Sequence, residues 1–206
     1  VIEDAAHCLP RAGQQRPPGT LGSMGVFSFY ATKPITTGEG GMIVTRDGEL
    51  ARRMSMMRLH GIDRDVWNRY TSKNASWYYE VQEPGFKYNL PDLAACLGRV
   101  QLGKSEGFHL ARARIARMYL EGLGDLDYIR LPVDSPAHSW HLFQIRLVLP
   151  RLKVDRDLFA DALMEKGIGV SVHFIPLHLM PYYRRTYGLK DRDFPVALKC
   201  YRETIS

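Results

Sequence analysis

In "GVFSFYATKPITTGEGGMIV", residues 25 to 44, one lysine, Lys33, stands between an aromatic run and a turn of threonines and glycines. Pro34 lacks a backbone donor and biases Thr32 and Lys33 toward extended backbone, so the amine projects from a stiff base. A primary amine held in one place can form an imine with a carbonyl and, once released, carry a proton. Near the start, "VIEDAAHC" places Asp4 after an apolar pair, as at the carboxyl end of a buried parallel strand, where open α/β sheets gather ligand contacts. Ser28 lies in the strand that leads to Lys33. Acid, amine and hydroxyl together meet the needs of pyridoxal phosphate (PLP). That cofactor takes a lysine for its aldehyde, a carboxylate to keep its ring nitrogen protonated, and hydroxyl or amide donors for its phosphate. Each residue also has an ordinary reading. Hairpin lysines are commonly solvated; Asp4 reads equally as a helix N-cap opening "AAHC"; and spacing of this kind arises by chance in many chains.

The elements that must position these groups follow from periodicity. In "VFSFY", Phe27 and Phe29 alternate with Ser28 and Tyr30, and "GGMIV" begins a second strand after a glycine break, so Lys33 sits on the connection between two strands. "RDGELARRMSMMRLHG" predicts a helix ending near Gly61, with His60 as a cap or packing residue. The next stretch, "DRDVWNRYTSKNASWYYEVQEPG", is irregular and carries Trp67, Tyr70, Trp77, Tyr78 and Tyr79; loops of this length are often functional, and a small covering hairpin is the alternative. "LPDLAACLGRVQL" predicts another helix, with Pro91 in its first turn and Asp92 favourable to its dipole. From Lys104 a long helix leads to a smaller α+β domain. There "SWHLFQIRLVL" is a strand, Asp155 caps the helix "RDLFADALMEK", Gly167 ends it, and "GVSVHF" is the next strand.

Composition narrows the function classes. A chain of 206 residues, 45% hydrophobic, can bury a sizeable core in one or two domains. No apolar run approaches the roughly 20 residues of a membrane span, so no span is expected. The opening "VIEDAAH" is neither a signal peptide nor a methionine start, and "CYRETIS" reads as cut inside a helix; both suggest a fragment. Cys8, Cys96 and Cys200 form no disulfide framework or metal spacing, which fits a reducing cytoplasm, and no metal site is expected. The net charge of +6 is spread evenly, 12 basic against 10 acidic residues in 1–103 and 16 against 12 in the rest, which argues against a nucleic-acid partner. Arg112, Arg114 and Arg117 alternate with Leu110, Ile115 and Met118 and read as the solvated face of an amphipathic helix. A mildly positive site would favour an anionic nucleotide sugar.

The ordered set "VIEDAAH", "GSMGVFSFYATKPITTGEGGMIVTRDGELARRM", "RLHG", "PGFKYNLPDLAACLGRVQL", "HSWHLFQIRL" and "LFADALMEKGIGVSVHFIPLH" resembles the sugar-nucleotide aminotransferases. These are PLP enzymes of fold type I in the aspartate aminotransferase superfamily. The resemblance covers essentially the whole chain and is nearest to the branch that makes UDP-4-amino-4-deoxy-L-arabinose. It implies an α/β fold. Residues 1–103 would form the C-terminal half of the PLP-binding large domain, a mixed sheet flanked by helices, and 104–206 the linking helix and small α+β domain, truncated at both ends. By the same resemblance, Lys33 forms the imine with the cofactor, Asp4 pairs with its ring nitrogen, His7 lies against the ring or its phenolic oxygen, and Ser28 binds the phosphate. Many relatives carry glutamine where this chain has His7. Lys87 and Asn89, in "GFKYN", match a segment that reaches the neighbouring subunit's phosphate, which implies a homodimer with shared active sites. His173 and His178, in "VHFIPLH", are candidates to face the sugar nucleotide, although a histidine at a strand end is also commonly structural.

The resemblance further implies transfer of an amino group, from glutamate as donor, to a keto sugar of a nucleotide-linked sugar, in polysaccharide or lipopolysaccharide biosynthesis. Relatives that carry histidine in place of the lysine dehydrate sugars instead, so Lys33 favours transamination over that alternative. A non-catalytic truncated relative is the second alternative. On this reading the isolated 206-residue piece lacks part of the sheet and of the phosphate site. It should bind PLP weakly and aggregate, as gel filtration and a PLP titration would reveal; a monodisperse piece with tight PLP binding would contradict the expectation.

Overall fold

The computed structural model describes residues 1–11, 13–62 and 79–206, so the aromatic stretch with Trp67, Tyr70, Trp77 and Tyr78 lies outside the described residues. Two packed units divide the chain, Val1–Leu110 and Ala111–Ser206. Each contains a three-stranded sheet.

In the first unit β1 (Ile2–Asp4), β2 (Met24–Ser28) and β3 (Gly41–Thr45) lie in that order. The β1 strand runs parallel to β2 with Asp4 opposite Val26, and β3 runs antiparallel with Gly41 opposite Ser28. Side chains alternate across a sheet, so this register sets Asp4, Val26 and Ser28 on one face and Glu3, Gly25 and Phe27 on the other. The central strand buries Gly25 and Phe27. Among the described residues β1 is laddered to β2, with Val1 91% and Ile2 65% exposed.

The loop before β2 packs directly on that strand because glycine lets backbone meet backbone. A Cβ on Gly25 would stand 2.1 Å from the Gly19 carbonyl oxygen, and one on Gly19, which has φ +83°, would stand 2.4 Å from the Phe27 ring. After β3, Asp47 caps α1 (Gly48–Met57) by accepting from the backbone N–H of Glu49 and Leu50. The helix ends four residues before Gly61. There His60 takes left-handed backbone with its side chain exposed. Its backbone N–H donates to the Phe86 carbonyl at 2.7 Å, and the Phe86 and Tyr88 N–H groups donate back to Met57 and Arg58.

The two helices expected around residues 91–103 and from Lys104 are one continuous helix, α2 (Asp92–Leu123), so the expected boundary at 103 falls inside it. The amphipathic reading of its basic stretch also changes. His109 and Ala116 are buried and Arg112 is half-buried, while Leu110, Ile115 and Met118 are exposed along with Arg114 and Arg117. Burial lowers the Arg112 pKa.

The second unit is an antiparallel sheet of β4 (Ile129–Arg130), β5 (Ile145–Leu147) and β6 (Thr204–Ile205), with α3 (Arg156–Glu165), α4 (Pro181–Tyr187) and α5 (Pro195–Glu203). Asp155 caps α3 and Gly167, at φ +77°, follows its end, as expected. Three expectations are corrected. "SWHLFQIRLVL" is a strand only over Ile145–Leu147, because Trp140 has left-handed backbone and its N–H donates to His138 Nδ1, which takes it out of any ladder. "GVSVHF" forms no strand; Ser171 alone exchanges a pair of 2.9 Å backbone hydrogen bonds with Ser206. The chain end is not helical, since Thr204 and Ile205 leave α5 and pair with β5. Both are β-branched and buried, which suits a strand better than a helix terminus.

The packing yields a paired prediction. Gly25→Ala should lower the urea midpoint clearly, by overpacking against the Gly19 backbone worth about 1–3 kcal/mol. Gly48→Ala, with nothing within 4 Å among the described residues and in the first turn of α1, should be neutral or raise stability by up to about 1 kcal/mol.

Candidate active site

Because β1 and β2 are parallel, both end at the same edge of the sheet, and the segments that follow leave from it. After β1 comes a single tight turn, closed by the Cys8 N–H donating to the Ala5 carbonyl at 2.9 Å. The Asp4 carboxylate accepts from the Ala6 N–H at 3.0 Å and is otherwise exposed. No helix follows, so the N-cap reading of Asp4 falls. His7 is exposed on the same turn.

After β2 the chain makes the Lys33 loop. Phe29 pins both of its ends: its N–H donates to the Gly40 carbonyl at 2.8 Å, and its own carbonyl accepts from the Thr37 N–H at 2.9 Å and the Thr36 hydroxyl at 3.2 Å. Within the loop, the Lys33 N–H donates to the Tyr30 carbonyl at 3.0 Å, closing a β-turn. Pro34, Ile35 and Thr37 are buried and Lys33 is half-exposed. Helix α2 braces the loop from behind, where a Cβ on Gly98 would stand 2.9 Å from the Thr37 methyl. The amine therefore stands on a base fixed by hydrogen bonds and by packing.

Ser28 Oγ accepts from the Tyr30 N–H at 3.3 Å, which leaves its hydroxyl hydrogen available to an acceptor. It lies on the same face as Asp4 and two residues beyond Asp4's partner, roughly 7 Å along the strand. A carboxylate and a hydroxyl at this offset, with an amine on the adjoining turn, fit a flat ring bearing a nitrogen at one end and a phosphate at the other. The donor set thus suits PLP. Among the described residues, no group of three His, Cys, Asp or Glu side chains is arranged to hold a metal ion.

The structure brings Lys87 and Asn89 together, with the lysine Nζ donating to Asn89 Oδ1 at 2.5 Å. Their segment is locked beside the end of α1 by the Gly61–Gly85 approach, where a Cβ on Gly85 would stand 2.0 Å from the Gly61 nitrogen. It presents a parallel stack of the exposed rings of Phe86 and Tyr88, 4.9 Å apart. His173 and His178 belong to the second unit. His178 is buried in a 3-10 turn against Phe194, and its Nε2, like His173 Nδ1, has no hydrogen-bond partner among the described residues.

Sequence reasoning passed over Glu3. Its carboxylate accepts the backbone N–H groups of Gly19 at 2.9 Å, Gly22 at 2.6 Å and Leu21. The Gly22 bond chiefly lowers its pKa below the ordinary value, burial opposes, and the Gly19 and Leu21 bonds add to the lowering. The glycines of "PGTLGSMG" were the available signal, since a run of that kind frees several N–H groups to converge on one acceptor.

Comparison with known proteins places these residues among relatives. The pattern of the DegT/DnrJ/EryC1/StrS aminotransferase family matches residues 1–206. An uncharacterized protein of Methanocaldococcus jannaschii, MJ1066, is 47% identical over 208 residues, covering all of this chain and 54% of that protein. The spore coat polysaccharide biosynthesis protein SpsC of Bacillus subtilis is 43% identical over 209 residues, again covering the whole chain and 54% of the relative. The chain therefore spans about half the length of the curated relatives it matches. Among solved structures, Helicobacter pylori PseC, an aminotransferase involved in pseudaminic acid biosynthesis, superposes with a TM-score of 0.86 at 28% identity, over 100% of this chain and 53% of that one.

The Glu3 clamp has a pH signature. A carboxylate whose folded pKa is depressed contributes stability that is complete above its unfolded value, near 4.5, and is lost as pH falls through the folded value. Melting temperatures from about pH 7 to about pH 3 should therefore fall less steeply for Glu3→Gln than for the parent protein. Equal slopes would mean that the clamp makes no difference to folding.

Proposed function

The chain belongs to the DegT/DnrJ/EryC1/StrS aminotransferase family, whose cofactor is PLP, and we propose from this that it transfers an amino group, with glutamate as donor, to a keto sugar carried on a nucleotide. The observation that carries the reading is the pinned Lys33 turn at the sheet edge shared with Asp4 and Ser28. When bound, the cofactor supplies an aldehyde for amines and a ring that withdraws electrons from the carbon attached to them. Lys33 holds the cofactor covalently at rest and, once released, moves the proton to and from the substrate carbon. Asp4 keeps the ring nitrogen protonated, Ser28 donates to the phosphate, and His7 rests against the ring or its phenolic oxygen.

Lys87 and Asn89 extend to the phosphate of a second subunit, so the assembly is a homodimer with two shared sites. Support for an association surface comes from the exposed Phe86 and Tyr88 stack and from Leu93, Leu97 and Val100, an exposed apolar stripe at helical spacing on α2. His173 and His178 are proposed to face the sugar nucleotide, although His173 Nδ1 and His178 Nε2 are buried in this structure. The named role of SpsC supports polysaccharide biosynthesis as the setting, and lipopolysaccharide is proposed on the sequence resemblance alone. The free cysteines support a cytoplasmic location, and among the described residues no helix is long and apolar enough to cross a membrane.

Borohydride added to PLP-loaded full-length protein should fix the cofactor on the peptide containing Lys33. Lys33→Ala should lose transamination yet still hold PLP noncovalently, and Lys33→Arg should not restore turnover, because a guanidinium neither forms the same bond nor shuttles the proton. Incubation with glutamate and a panel of 3-keto and 4-keto nucleotide sugars, read by mass spectrometry, identifies the acceptor. Labelling of another lysine, or near-normal turnover by Lys33→Ala, would sink the assignment. For the dimer, mixing Lys33→Ala chains with Lys87→Ala or Asn89→Ala chains should restore some activity, since one site in each heterodimer regains both groups. No rescue in verified heterodimers would place the phosphate contact within one subunit.

A further inference from the structure

We propose that Thr37 is a positioning residue for Lys33, fixing the amine's place through its contact with Gly98 of α2, an inference that rests on the PLP site described above. Three holds meet on this one residue. Its N–H donates to the Phe29 carbonyl at 2.9 Å, at the neck of the loop, and its hydroxyl donates to the Glu39 carbonyl at 2.6 Å. Its methyl faces the helix, where a Cβ on Gly98 would stand 2.9 Å away. The hydroxyl end meets a second glycine. A Cβ on Gly40, which has φ +149°, would stand 2.6 Å from the Thr37 hydroxyl oxygen and 2.9 Å from a Leu90 methyl. Thr37 therefore fills a slot between two glycines and is only 8% exposed.

A short β-branched side chain suits this slot. Threonine is stiff at χ1, and the bond to Glu39 fixes the rotamer further, so the methyl cannot swing away from α2 as the end of a longer side chain could. Serine would keep the hydrogen bond and lose the helix contact. From Thr37 the position passes back to Lys33 through Thr36, whose hydroxyl donates to the Phe29 carbonyl at 3.2 Å, and through the buried Ile35 and Pro34. Pro34 has a fixed φ, so this short segment transmits a displacement with little slack. The neck adjoins the β2–β3 ladder and α2 is 32 residues long, so both resist movement. The Lys33 turn, closed by its own N–H bond to the Tyr30 carbonyl, is the part that yields. A push on the Thr37 methyl therefore moves the amine.

Two mutant cycles in full-length protein test this. Gly98→Ala, Thr37→Ser and the double variant are each made with Lys33 present and in a Lys33→Ala background. Three quantities are measured: the PLP dissociation constant, the fraction of bound PLP that borohydride fixes to Lys33, and the amide hydrogen exchange of residues 29–40 without cofactor. Gly98→Ala should weaken PLP binding about tenfold where Lys33 is present and leave it unchanged in Lys33→Ala, because Gly98 acts on the cofactor only through the amine. The fraction fixed should fall with it, and the loop amides should exchange about tenfold faster. Thr37→Ser alone should weaken binding about threefold, and adding Gly98→Ala to it should bring binding back to within about twofold of the parent, since the new Cβ takes the place of the lost methyl. Should Gly98→Ala alone fail to fold, Thr37→Ser carries the comparison in the same two backgrounds. A folded Gly98→Ala that binds PLP like the parent, equal weakening with and without Lys33, or a double variant as weak as Gly98→Ala would overturn the positioning role while leaving the PLP site standing. Borohydride labelling of another lysine in the parent would overturn the site itself, and this inference with it.

Discussion

Everything at the carboxyl edge of the first sheet depends on one contact made without side chains, the seating of Gly19 on Gly25. Any Cβ at position 25 would lift the preceding loop by more than an ångström, and the loop carries the N–H groups that receive Glu3. A short parallel strand cannot close a hairpin with its neighbour, so its connection must be long and must find its own support. Here the connection spans Ala5 to Ser23 and finds support by backbone packing on β2. The constraint is therefore steric first and electrostatic second: glycine creates the approach, and the carboxylate exploits it.

The Lys33 loop solves a related problem by different means. Twelve residues, Phe29 to Gly40, separate two antiparallel strands that a two-residue turn would suffice to join. The excess length is stabilised at its neck, where Phe29 bonds to both Thr37 and Gly40, and by the burial of Pro34, Ile35 and Thr37. Closing a loop costs entropy that grows only slowly with length, so a neck of three hydrogen bonds and a few buried side chains suffices to hold it. The second unit relies on charge in partly buried places. Arg146 pairs with Glu203 at 2.5 Å, a side chain only 10% exposed, and the buried Arg156 bonds the Thr204 carbonyl while its guanidinium lies 4.9 Å over the Tyr201 ring. Removing one partner of the Arg146 pair leaves a poorly hydrated charge, so the pair constrains how β5 and the end of α5 meet even if its net contribution is small.

Local signals were legible where a residue acts on its near neighbours. Asp155 and Gly167 bound α3 as their types require, and the alternation in "VFSFY" with the glycines after it located the Lys33 connection. Legibility failed where distant segments decide. Trp140 looked like strand because it is aromatic; its left-handed backbone depends on the bond to His138. The helices expected around residues 91–103 and from Lys104 are one, and at Gly98 within it the missing side chain makes room for Thr37. Of the site, Asp4, Ser28 and Lys33 stood out by type and order, while Glu3 was hidden because its partners are backbone groups that leave no mark in the alphabet beyond their glycines.

Adjacent acids with opposite tasks explain why "ED" at a strand end is more informative than either letter. Alternation sends the two carboxylates to opposite faces, so Glu3 and Asp4 do not share a partner or compete for one. Glu3 meets a surface of N–H groups that its own chain supplies and is thereby consumed by structure. Among the described residues the Asp4 carboxylate keeps a single bond, to Ala6, and an exposed remainder with capacity for a further donor. A carboxylate placed at a sheet edge for a cationic ring nitrogen needs this spare capacity, and it also needs a neighbour that already satisfies the local backbone. The pleat separates the two carboxylates, so the backbone N–H groups that Glu3 engages leave Asp4 its exposed oxygen.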